Sequence, residues 1–166
     1  MLVNMTLAAF DLPGGPFALR RATATDVSPI VQLLADDPLG RSRESAEPDA
    51  VQVYMEAFAA IDEAPAQLLV VAASPDRAVV ATMQLTFIPG LARQGATRLQ
   101  IEAVRVLEEL RGNGLGGAMV SWAIDEARAR NCGVVQLTSD RSRERTHGFC
   151  VRLGFTPSHV GFKLLL

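Results

Sequence analysis

The chain has 166 residues, 49% of them hydrophobic and 20% charged, with a formal net charge of −2. This is the composition of one globular domain with a substantial core. It argues against a disordered chain and leaves no basic field for nucleic acid or an anionic membrane surface. Two cysteines, Cys132 and Cys150, are too few for a secreted disulfide framework, and with two isolated histidines, His147 and His159, they offer no metal-ligand spacing.

Residues 1–15 read as a loosely held leader closed by the turn-forming Pro13-Gly14-Gly15. The leader has no basic start, and Asp11 and Pro13 interrupt its short apolar run. It is therefore neither a signal peptide nor a membrane span, and a cytoplasmic protein with a single domain over residues 16–166 is expected.

Phe17–Arg21 reads as the first strand. Thr25 is placed to N-cap a helix carrying Val27, Ile30, Val31 and Leu34 at helical spacing. A polar loop, Asp36–Asp49, leads to a second helix from about Pro48, with Val51, Tyr54, Met55 and Phe58 on its apolar face. The period then changes. Gln67–Ala73 and Ala78–Phe87 are strand-like runs joined by a four-residue hairpin loop, Ser74 to Arg77.

A flexible connection, Ile88 to Ala96, precedes a long strand over Thr97–Leu107. Next come a glycine-rich stretch and a helix to about Arg130, whose core face is Met119, Val120, Ala123, Ile124 and Ala127. Val134–Thr138 reads as a strand, Ser142–Leu153 as a helix and Gly161–Leu166 as a closing strand. The order is β-α-α-β-β-β-α-β-α-β, antiparallel hairpins followed by a parallel crossover. That is a mixed α/β fold with a mostly antiparallel sheet and about four helices.

The glycine-rich stretch, RGNGLGG (Arg111–Gly117), fits two phosphate-binding patterns. Gly112, Gly114 and Gly117 match G-x-G-x-x-G, the dinucleotide fingerprint. Read from Arg111, the same letters match R-x-x-G-x-G, an acyl-CoA signature. A dinucleotide fold needs its strand to run almost directly into the glycines, and here Leu107 to Arg111 intervene. It also needs further βα units, for which too little chain follows, and Asp140 lies beyond the usual distance of about 20 residues for a ribose-binding acid. A bare strand-to-helix turn is the plain alternative. For an acyl-CoA, Gly112, Gly114 and Gly116 let the backbone turn tightly and bring N–H groups to an anion at a helix N-terminus, with Arg111 in support.

IEAVRVLEELRGNGLGGAMV (Ile101–Val120) closely resembles the central motif of the GNAT superfamily of N-acetyltransferases, and HGFCVRLGF (His147–Phe155) resembles its second motif. The resemblance covers roughly residues 17–166 and implies a sheet splayed at the acetyl-CoA site. It implies that Val104, Arg105 and Val106 offer backbone groups to the pantetheine arm. It further implies that Arg111, Gly112, Asn113, Gly114, Leu115, Gly116 and Gly117 cradle the pyrophosphate. The implied reaction is acetyl transfer from acetyl-CoA to a primary amine, with no metal. A non-catalytic acyl-CoA-binding or sensing module is the alternative, and a homodimer stays open.

In that family the position of Glu102 commonly holds the base. Strand alternation places Glu102, Val104 and Val106 on one face and Arg105 on the other, and partial burial would make Glu102 a better base. The second motif departs from the family pattern: Cys150 stands where a tyrosine usually lies near the sulfur. A protonated thiol can donate, though weakly, and the same residue reads equally well as a small buried hydrophobe. The chain's one tyrosine, Tyr54, borders the expected acceptor side. Asp36, Asp37, Glu44, Glu47 and Asp49 form an acidic cluster suited to a cationic amine, interrupted by Arg41 and Arg43. His147 and His159 read as an exposed helix position and a loop residue.

Overall fold

The structure is a computed structural model that describes residues 5–37, 40, 44–45 and 50–166. Six strands form one sheet in the order β1-β2-β3-β4-β5-β6: β1 Thr6–Leu12, β2 Gly15–Arg21, β3 Gln67–Ser74, β4 Arg77–Ile88, β5 Arg98–Val106 and β6 Val134–Leu137. The first five strands are antiparallel, and β6 joins β5 in parallel after a helical crossover. The helices are α1 Val27–Ala35, α2 Val51–Glu63, α4 Leu115–Ala129 and α5 Glu144–Arg152. A single turn, α3 Ala92–Gly95, has Arg93 and Gln94 in left-handed conformation.

Alternation on β4 divides the molecule. Ala81, Met83, Leu85 and Phe87 are buried in the main core, together with Leu99 and Ile101 of β5 and Leu115, Met119, Val120, Ala123 and Ala127 of α4. Ile124 is half-buried beside them. On the opposite face α1 buries Ile30 against Ala22 and Val71, with Phe58 of α2 half-buried alongside. The apolar stripe of α2 is shallow: Tyr54, Met55 and Phe58 are half-buried and Val51 is exposed.

Four local features differ from the sequence expectation. Residues 6–12 form β1, a full strand hairpinned to β2, where a loose leader was expected. Its alternating Phe10 and Leu12 pack against the main core, a period-two pattern hidden by the interrupting Asp11. Helix entry uses Thr23 and not Thr25. Asp26 receives the Thr23 N–H and hydroxyl, both at 2.8 Å, and is held by Arg20 through two bonds at 2.7 and 2.8 Å. The β3–β4 loop is shorter than expected, since Ser74 and Arg77 already pair and the Arg77 N–H donates to Ser74 Oγ at 3.2 Å.

The closing strand is the fourth. Gly161–Leu166 belongs to no strand, and residues 156–166 are exposed throughout. The described part of the second helix begins at Val51, and its expected start near Pro48 lies outside the described residues.

Candidate functional site

Strand β5 has two unlike halves. Arg98 to Ile101 pair with β6, from Val134 to Leu137, but β6 ends there. From Glu102 to Val106 the strand is flanked only by β4, so the sheet opens into a wedge. On that half, Val104 O accepts from the Arg105 guanidinium at 2.8 Å and Val106 O from Arg111 Nε at 3.0 Å. An extended chain with its own amides could take the place of a sixth-strand partner here, by the chemistry that extends a sheet.

The glycine stretch stands beside the end of that half-strand. A 3-10 turn, Glu108–Leu110, carries the chain to Arg111, and Gly114 N-caps α4. Gly112 and Gly114 have φ of +86° and +90°, a region closed to most side chains. Gly116 and Gly117 lie in the first turn of the helix, where a glycine is unfavourable. A Cβ on Gly116 would meet Val106 Cγ2 at 3.6 Å, and one on Gly117 would meet Phe149 at 3.9 Å, both ordinary contacts. The tight backbone was expected at Gly112, Gly114 and Gly116, and only the first two require it. The protein itself leaves room for a methyl at Gly116, so its bare backbone suits the close approach of a ligand.

First-turn N–H groups of an α-helix lack intrahelical acceptors, and the helix dipole adds positive potential there. Asn113 and Leu115 complete the loop, Leu115 as a buried anchor in the main core. The β1–β2 hairpin supports it from behind: a Cβ on Gly14 would come within 3.2 Å of the Asn113 amide, and one on Gly114 within 3.8 Å of Leu12. The residues from Arg111 to Gly117 thus fit a pyrophosphate in shape and in donor chemistry.

A bulge resets the faces of β5. Thr82 pairs with Arg105 and Gln84 with Glu102, so one residue of β4 stands opposite two of β5, and Ala103 takes a φ of +53°. Residues directly opposite one another share a face. Glu102 and Arg105 therefore both look toward α1 and α2, while Val104 and Val106 pack against the main core. Strict alternation had put Glu102 with the valines and Arg105 alone. Glu102 is also exposed, where partial burial was expected.

Arg105 and Asp37 reveal a cluster that the sequence did not show. Asp37, just past α1, is buried and pairs with Arg105 at 3.6 Å and with Arg143 at the start of α5, to which it also hydrogen-bonds. Burial alone would raise the pKa of Asp37, but the Arg143 hydrogen bond and both arginine charges outweigh it and hold the carboxyl below its usual value. Burial lowers the pKa of Arg105 despite the nearby Asp37. Asp37 was grouped with a free acidic patch; in the structure it is consumed by these two cations. Glu44 likewise accepts the Tyr54 hydroxyl at 2.9 Å, which in turn accepts the Ser45 N–H at 3.0 Å. Asp36 is exposed, and Glu47, Asp49, Arg41 and Arg43 lie outside the described residues.

Tyr54 also borders a largely apolar cavity of about 100 Å³ under α1 and α2, lined by Ile30, Phe58, Leu69 and Gln84 and reaching Ala103 at the bulge. The bulge links this cavity to the open half of β5.

Cys150 is buried on α5, and burial pushes its thiol pKa upward, so it stays protonated at neutral pH. His147 is half-buried, with Nε2 2.9 Å from the Asp140 carbonyl, and exposed His159 has Nδ1 2.7 Å from Ser158 Oγ. Among the described residues no three metal-binding side chains converge, and no helix is long and apolar enough to cross a membrane.

The sheet thus opens beside a glycine-turned helix N-terminus. The chain belongs to the GNAT acetyltransferase family, whose model matches residues 29–155, and it is an acyltransferase of that family. A Bacillus halodurans C-125 structure described as a transcriptional regulator is similar at 39% identity and TM-score 0.87, over 90% of this chain and 99% of that one. A predicted acetyltransferase solved with acetyl-CoA from Clostridium acetobutylicum shares the fold at 19% identity and TM-score 0.67, over 90% of this chain and 96% of that one. An aminoalkylphosphonate N-acetyltransferase of Salmonella typhimurium is 32% identical over 63 residues, 38% of this chain. The match spans 41% of that relative's length.

Proposed function

We propose that this enzyme transfers the acetyl group of acetyl-CoA to a primary amine by direct attack within a ternary complex. The observation that carries this reading is the unpaired half of β5, Glu102 to Val106, ending beside the glycine turn of α4. When bound, acetyl-CoA supplies an activated thioester carbonyl. The chain's own work is to hold and orient. Val104 and Val106 offer backbone groups along the opening, and Arg105 contributes the residue between them. Arg111 and the N–H groups through Gly117 receive the pyrophosphate.

Acetylation requires the amine to lose a proton. Glu102 is exposed on the acceptor face and receives that proton directly or through water. Tyr54 and the cavity beside the bulge bound the acceptor. Cys150, protonated in its buried position, stands at the family's usual tyrosine position and supplies the proton taken up by the departing CoA thiolate. An aminoalkylphosphonate heads the acceptor panel because of the Salmonella relative.

Free CoA release from acetyl-CoA, followed over a panel of amines, tests the reading. Turnover with at least one primary amine is expected, and Glu102→Gln should keep CoA affinity while lowering turnover about 10²–10⁴-fold. That deficit should shrink as pH rises and more amine is already neutral. Tight CoA binding with no release across the panel favours an acyl-CoA-binding module.

A further inference from the structure

The open half of β5 carries an acid and a cation on one face. Glu102 and Arg105 stand opposite Gln84 and Thr82, two positions apart on β4. At the rise of a strand, their Cα atoms are roughly 7 Å apart. Thr82, Gln84 and Ala103 also line the largely apolar cavity of about 100 Å³ under α1 and α2. The cavity therefore adjoins the face that carries both charges.

Arg105 has more donors than its neighbours use. Its Nη1 donates to Val104 O at 2.8 Å, while Nη2 lies 3.6 Å from the Asp37 carboxylate, beyond hydrogen-bond range. Among the described residues nothing accepts from its buried Nε. A guanidinium carries five N–H donors, so most of this one's capacity is unspent. Charge is also in excess. Asp37 is shared between Arg105 and Arg143, which leaves the cluster one positive charge. The next charges to act on Arg105, Glu44 and Arg111, oppose one another. The side chains of Arg105 and Arg143 remain 22% and 26% exposed, so a small anion can reach them.

We propose that the acceptor is a zwitterion: a primary amine that also bears an anionic group, received by Arg105 and Arg143, and a short apolar side group, received by the cavity. The amine faces Glu102, and the anion takes charge-assisted hydrogen bonds from the spare guanidinium donors. The short spacing of Glu102 and Arg105 suits an amine and an anion carried on the same or adjacent carbons. A cavity of roughly 150 Å³ holds benzene, so by proportion this one holds about four carbons. An apolar amino acid such as leucine has all three parts. The position of the amine rests on the acetyl-transfer reading; the anion and apolar subsites do not.

Calorimetric titration of the CoA-saturated enzyme, with CoA release from acetyl-CoA measured on the same ligands, tests it. Leucine should bind about tenfold or more tighter than leucinamide, which keeps the shape and loses the anion. The phosphonate analogue of leucine should share that advantage, and the tighter of the two names the anion. Arg105→Gln should erase the difference between leucine and leucinamide and Arg143→Gln should shrink it, whereas a merely structural loss would weaken both ligands alike. Ala57→Leu, in the cavity wall, should weaken leucine and spare glycine. Should Arg105→Gln fail to fold, the wild-type comparison decides by itself. Equal binding of leucine and leucinamide overturns the anion site, and equal binding of leucine and glycine overturns the apolar one. Anion-dependent binding without CoA release strikes the transfer reading and keeps the zwitterion site; release with uncharged amines and no binding of leucine does the reverse.

Discussion

Gly114 and Gly116 look equivalent in the sequence, and the structure gives them different duties. Gly114 needs its positive φ, so valine there is strained whatever space surrounds it. Gly116 has helical surroundings and van der Waals room for a methyl. Gly116→Ala should therefore hold or raise the stability of the ligand-free protein, by up to about 1 kcal/mol. In the proposed cradle it should nevertheless weaken CoA binding about tenfold or more, because a methyl there would crowd a phosphate approaching an N–H, and such charge-assisted bonds are worth about 1.5–3 kcal/mol. Gly114→Val should abolish binding altogether. Calorimetric titration of both variants with CoA decides this, and unchanged affinity in a folded Gly116→Ala removes the cradle from the proposed site.

Glu102 and Arg105 show where residue-level reading failed. Their place on β5 was legible; their faces were not. A single left-handed residue, Ala103, inserts one position and inverts the phase downstream. Alanine carries no marker of that conformation, and a bulge is set by the partner strand as much as by its own residues.

At the scale of elements, Asp37 ties the end of α1 to β5 and to the start of α5. Asp37→Asn would leave Arg105 a desolvated cation without its counter-charge and should cost about 2–3 kcal/mol at pH 7. The sign with pH follows from the lowered pKa of the wild-type carboxyl. Its stabilisation is present in full above the unfolded carboxylate value of about 3.9 and is lost as pH falls through the lower folded value. Denaturant melts of both proteins should thus diverge at neutral pH and converge in acid; a constant gap would assign the loss to packing. No sequence signal pairs residues 37, 105 and 143, because three separate elements must fold before they meet. Asp37 was visible only as one acid among several in a loop.

For the whole molecule, ligand linkage gives the broadest check. CoA or acetyl-CoA at 100 times its dissociation constant should stabilise the fold by about 2.7 kcal/mol, read as a rise in melting temperature, whereas NAD, NADP and FAD should leave it unmoved. A shift with a dinucleotide alone would return the glycines to the rejected fingerprint.

The sequence by itself determined the mixed α/β class, the four principal helices and four of the six strands close to their observed bounds, with β2 read in its greater part. It also located the glycine turn, since periodicity and glycine spacing are local properties written in consecutive residues. Tertiary structure alone decided what those elements do together. It turned the expected leader into β1, a support behind the glycine loop, because a strand interrupted by Asp11 declares itself only when its partner is beside it. It left Gly161–Leu166 unpaired although its pattern is that of a strand, because alternation specifies a face to bury and not the surface that buries it. And it opened the sheet after Ile101, since β6 contributes only four residues and the splay depends on where one strand stops beside another.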